Sequence, residues 1–179
     1  MEAVCDFFSL LKAVTVDCKD NGKEFLVTDR ITAIERLLKE TPYNLIAREP
    51  LALLFAKRMP QEGEKVVLIS SHIDCVYNSC FCSENGEFFH GTFDNSFGNA
   101  AVLWCMINGM LPENAVVAFT GDEEKESAGA VQALLALGRL GCTISSVIVQ
   151  DVTNEGWESG ALFTIENDSG SDILQAYNI

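Results

Sequence analysis

Three short runs rich in β-branched and apolar residues, at 66–71 (VVLISS), 115–120 (AVVAFT) and 146–150 (SVIVQ), alternate with two segments of helical periodicity. This alternation leaves few folds open. Each run is apolar on both parities, which suits a strand covered on both faces, as in a parallel sheet. Between the first two runs, residues 95–110 carry Phe97, Ala100, Ala101, Leu103, Trp104 and Ile107 at the spacings of a helix packed on a sheet, and residues 127–140 form a second such segment. Strand, helix, strand, helix, strand is the α/β order. Its crossovers are right-handed, and its ligands bind beyond the carboxyl ends of the strands.

Upstream, residues 2–16 place Val4, Phe7, Phe8, Leu10, Leu11 and Val14 three and four apart, predicting an amphipathic helix, and residues 29–38 predict another with Asp29 as its N-cap. The apolar runs 43–48 and 51–58 flank the breaker pair Glu49-Pro50 and suit a hairpin or two adjoining strands. Residues 77–90 are turn-rich. Residues 160–164 suit a further strand, and 170–177 the start of a helix. No repeat or linker divides the chain, and 179 residues with 48% hydrophobic content can bury one sizeable core, so residues 1–179 are expected to form a single domain.

The formal charge of −14, from 12 basic and 26 acidic residues, repels phosphate backbones and anionic lipid headgroups, which argues against nucleic-acid or membrane-surface partners. The seven cysteines are odd in number and scattered, several within apolar runs, as expected of reduced thiols. Glu2 and Asp6 stand where a secretory signal carries positive charge, and no apolar run approaches the roughly 18 residues of a membrane span. A cytoplasmic location is therefore expected. Cys80-Phe81-Cys82 lacks the second pair or nearby histidine that would complete a zinc site, and reads as structural thiols.

Chemistry collects at the strand ends. VVLISS runs into His72-Ile73-Asp74, AVVAFT into Gly121-Asp122-Glu123-Glu124, and SVIVQ into Asp151, while Asp94 precedes the helix at 95–110. In an open α/β sheet these positions meet on one rim. Singly, each has an ordinary reading: His72 and Asp74 as loop residues, Asp94 as an N-cap, and Glu123 and Glu124 as a solvated pair. Together they supply imidazole and carboxylate ligands for a divalent ion and a further carboxylate to accept a proton from water. His72 and Asp74 are two apart and share a side of an extended chain, so Asp74 can orient the imidazole from behind. Adjacent glutamates can divide metal binding from proton transfer.

The ordered segments SSHIDCV, GTFDNSFGNAA, FTGDEEKESAGA and VIVQDVT resemble the signature segments of the co-catalytic zinc exopeptidases, the superfamily of bacterial leucyl aminopeptidases, glutamate carboxypeptidases and aminoacylases. The resemblance covers residues 64–153. It implies an α/β fold, a three-layer α/β/α sandwich around a mixed, largely parallel sheet, with the phosphorylase/hydrolase-like architecture of zinc peptidases. It implies two zinc ions, with His72 and Asp151 on one, Glu124 on the other and Asp94 bridging them. Glu123 would be the general base acting on the bridging water, and Asp74 would brace His72. The Asp94–Asn95 peptide is often cis in such enzymes. The implied function is hydrolysis of a peptide or N-acyl amide bond, with aminopeptidase and deacylase branches not separated and homo-oligomers left open. One departure stands out: the family's downstream histidine ligand has no counterpart, since the chain holds only His72 and His90, and His90 precedes Asp94. The expectation is a catalytic domain whose C-terminal part is missing. The alternative is a peptidase-like domain, incomplete for catalysis, used for binding or assembly.

Overall fold

The computed structural model describes residues 6–17, 28–77, 79–86 and 88–152. Two helices, α1 (Phe7–Val14) and α2 (Asp29–Leu38), lead into strands β1 (Asn44–Glu49), β2 (Ala52–Ala56) and β3 (Lys65–His72). A small hairpin, β4 (Cys82–Asn85) and β5 (Phe88–Gly91), precedes helix α3 (Ser96–Ile107), strand β6 (Ala115–Thr120), helix α4 (Ala128–Arg139) and strand β7 (Thr143–Gln150). The main sheet has the order β1-β2-β6-β3-β7. β3 pairs in parallel with both β6 and β7, whereas β2 is antiparallel to both β1 and β6, so β2 alone opposes the other four directions.

The alternation along β6 explains why the sheet is covered on both sides. Ala115, Val117 and Phe119 point into one core with Leu10 and Leu11 of α1, Ile31 and Ile34 of α2, and Leu103 and Met106 of α3. Val116 and Ala118 point into a second core with Ala133, Ala136 and Leu137 of α4. Successive strand residues face opposite ways, so a strand serving two cores must be apolar throughout. All six residues of β6 are buried. The start of α4 comes so close to the sheet that a Cβ at Gly129 would lie 2.4 Å from the carbonyl oxygens of both Gly121 and Leu51, which only glycine avoids.

Register brings the chemistry to one rim. Ser70 pairs with Ala118 and His72 with Thr120, while Ser71 pairs with Gln150. The chain therefore leaves β3, β6 and β7 at nearly the same level, with His72, Gly121 and Asp151 side by side.

Several expectations change. Asp29 is the first residue of α2 rather than its cap: Thr28 is the extended residue, and its hydroxyl accepts from the Ile31 amide at 3.5 Å. Asp29 instead faces the positive end of the helix dipole. The turn-rich stretch contains the β4–β5 hairpin, with His90 on β5 opposite Ser83. Among the described residues β7 has a neighbour on one side only, β3, and Val147, Ile148 and Val149 are 49%, 51% and 73% exposed. Its apolar run indicates β-structure but not which position in the sheet the strand takes. The start of the first predicted helix at 2–5, and the predicted elements at 160–164 and 170–177, lie outside the described residues. Among the described residues no helix is long and apolar enough to cross a membrane.

Candidate metal centre

His72 closes β3 with its side chain only 5% exposed. Its Nδ1 lies 3.1 Å from the backbone carbonyl oxygen of Asp74 and 3.6 Å from that residue's Oδ1. The nearer oxygen can only accept, so Nδ1 carries the proton and Nε2 is directed at the rim. There it meets Asp151 Oδ1 at 3.2 Å and Asp94 Oδ1 at 3.4 Å. Asp94 stands just before α3, and the Asp94–Asn95 peptide is cis. Asp151 follows the last residue of β7.

Ligand atoms held about 2.1 Å from a tetrahedral ion lie about 3.4 Å from one another. The two separations from Nε2 are close to that edge length, and ligand atoms of all three residues lie within 4.8 Å of one another, a grouping that could hold a zinc-sized ion. His72 also belongs to a second set: ligand atoms of His72, Glu123 and Glu124 lie within 4.8 Å of one another, as do those of His72, Asp94 and Asp151. The structure thus brings five of the six predicted site residues into two donor sets that share His72. The sixth, Asp74, lies behind, where its Oδ2 accepts from the Glu124 amide at 3.3 Å.

Asp122 takes a different course from its neighbours. Its φ of 66° turns the chain back, so that its carbonyl accepts from Ser127 N at 2.6 Å and its Oδ2 from Ala128 N at 3.4 Å. Asp122 therefore stands apart from the Glu123-Glu124 pair. His90 and the cysteines enter neither donor set among the described residues, and Cys75 Sγ and Cys80 Sγ stand 3.6 Å apart.

The charges are poised for a cation. Burial pushes the Asp94 carboxyl up, with Asp151 adding to the shift and His72 opposing it. Burial likewise raises Glu124, reinforced by Asp94 and Glu123. Burial works against the His72 imidazolium, but the Asp74 hydrogen bond and the charge of Asp151 outweigh it and raise the group from 6.5 to about 9. Burial also opposes ionisation of Asp74, yet His72 and the Glu124 and Glu123 amides hold its pKa below the ordinary value.

A pH dependence follows. Without metal His72 is protonated at neutral pH, and a metal ligand must be neutral, so binding displaces one proton. Zinc affinity is expected to rise by up to about tenfold per pH unit as the pH climbs toward about 9, read from competition titrations with a chelating dye. An affinity independent of pH would exclude His72 as a ligand. Because the folded value is raised, the contribution of His72 to metal-free stability is fully present below 6.5 and is lost as pH rises through about 9.

Some residues behind the site carry no signal in the motifs. Arg30 is fully buried and donates from Nη1 to the Ile73 carbonyl at 2.8 Å, and its charge opposes the upward shift of Asp94. Its place beside Ile31 and Ile34 in the helical pattern is the only hint of burial. Ser71, Asn95 and Asn99 are likewise buried, and Asn99 stands out in the sequence as a polar residue one turn into an otherwise small and apolar helix. A Cβ at Gly98 would come 2.2 Å from Asn95 Oδ1 and from Gln150 Oε1, so glycine is needed where α3 meets the end of β7.

Comparison with protein-family models, with curated proteins and with solved structures produced no match.

Proposed function

We propose that this chain carries the metal centre of a zinc-dependent hydrolase acting on peptide or N-acyl amide bonds, of the co-catalytic exopeptidase type, built as a three-layer α/β/α sandwich and working in the cytoplasm. The observation that carries the reading is the approach of His72 Nε2 to Asp94 and Asp151 at ligand-to-ligand distances, on the rim where α/β sheets bind ligands. The intact order of four motifs supports it.

An ion held by His72, Asp94 and Asp151 would supply Lewis acidity, polarising the scissile carbonyl and making water easier to ionise. Glu124 would contribute to holding a second ion, which would add to the same Lewis acidity. Glu123, exposed at the rim, is the carboxylate free to take the proton from the attacking water and return it to the leaving amine. Asp74 and its backbone carbonyl hold the imidazole in the tautomer that presents Nε2. A second reading, binding without turnover, is favoured by one feature: both donor sets depend on the same single histidine.

The test is turnover of aminoacyl amides and N-acyl amino acids by the zinc-loaded chain. Hydrolysis is expected, abolished by a chelator and restored by zinc. Zinc binding without turnover of either substrate class supports the second reading, and turnover indifferent to chelation refutes the metal mechanism.

A further inference from the structure

His72, Asp94 and Asp151 each have, as immediate neighbour in the chain, a member of one hydrogen-bond network. Ser71 precedes His72, Asn95 follows Asp94, and Gln150 precedes Asp151. Asn99 is the hub of this network. Its Nδ2 donates to the His72 carbonyl at 3.0 Å and to the Asn95 carbonyl at 2.8 Å, and its Oδ1 accepts from Ser71 Oγ at 3.2 Å. Asn95 extends the network across the sheet, its Nδ2 donating to Ser71 Oγ at 3.2 Å and to the Gln150 carbonyl at 2.9 Å. Asn95 and Asn99 are 0% exposed and Ser71 is 1% exposed.

A primary amide has two N–H donors, and here both are spent on backbone carbonyls of residues at the site. β3 and β7 are joined by their backbone ladder, with Ser71 opposite Gln150, but the turn before α3 lies outside that ladder and is tied to both strand ends by the directed side-chain hydrogen bonds of Asn95 and Asn99. We infer that Asn99 is a positioning residue for the metal centre, holding the backbones of His72 and Asp94 in register with each other and, through Ser71 and Asn95, with Asp151. It touches no reacting atom. The role rests on the reading of His72, Asp94 and Asp151 as metal ligands.

Partners one layer behind the ligands typically tune metal affinity by about 10–100-fold. Asn99→Leu, which keeps the branched shape and removes every side-chain hydrogen bond, is expected to weaken zinc binding by about that factor in competition titrations. It should also alter the visible absorption of the cobalt-substituted protein, because the spectrum reports the arrangement of donors around the ion and a loss of global stability alone would not change it in the folded fraction. Ser71→Ala, which leaves both Nδ2 bonds intact, is the milder variant. It should produce a smaller shift in the same direction, and it serves where Asn99→Leu fails to fold. Wild-type affinity and an unchanged cobalt spectrum in folded variants would overturn the positioning role and leave the metal centre standing. A wild-type chain that binds neither zinc nor cobalt would overturn both.

Discussion

Replacing His72 with alanine is expected to abolish tight zinc binding altogether, because His72 is the residue common to both donor sets and the source of their imidazole. Asp94 and Asp151 would keep their places but lose the group between them, and two carboxylates without an imidazole make a poor zinc site and a better one for harder ions. The loss should exceed the roughly 10–100-fold that removal of an outer partner costs. Calorimetric titration of folded protein reads it directly. A His72→Ala chain that binds zinc as the parent does would remove the central residue from the account. The same substitution deletes the imidazolium that Asp74 and Asp151 stabilise in the metal-free chain, so the variant should also melt earlier at neutral pH and converge with the parent above about pH 9.

The second large effect is separable from the first. Glu123→Gln is expected to cost about 10²–10⁴-fold in turnover, the usual contribution of a general base, while zinc affinity changes little. The separation follows from position: Glu123 is exposed at the rim, whereas Glu124 is half-buried and His72 and Asp94 lie against the sheet end. Glutamine keeps the shape and removes the basic lone pair, so a fall in turnover at constant metal content assigns proton transfer to this carboxylate. Equal loss of metal and activity would make Glu123 a ligand instead, in line with its membership of the second donor set.

Much of this was legible in the chain because two periodicities dominate it. β6 has to be apolar on both parities to serve two cores, and that requirement is visible without coordinates. So is the placement of His72, Asp94, Glu123, Glu124 and Asp151, since parallel strands that end together deliver whatever follows them to one edge. What stayed hidden depends on distance rather than pattern. β7 reads like β3 and β6, yet among the described residues it pairs on one side only, and pairing is a long-range property. Thr28 and Asp29 are both competent caps, and the choice between them turns on which residue is extended. The turn at Asp122 is equally hidden, because a residue with positive φ redirects its carboxylate without leaving a trace in composition. Arg30 and Asn99 were missed because a buried polar side chain is identified by its partners, and those partners are backbone carbonyls.

Anomalous diffraction at the zinc edge, from crystals of the chain equilibrated with zinc, tests directly whether His72, Asp94 and Asp151 together hold a divalent ion. A peak is expected about 2.0–2.2 Å from His72 Nε2 and from one carboxylate oxygen each of Asp94 and Asp151. The contradicting result is no peak at saturating zinc, or an ion bound elsewhere, with the three side chains still paired directly at their present 3.2 and 3.4 Å.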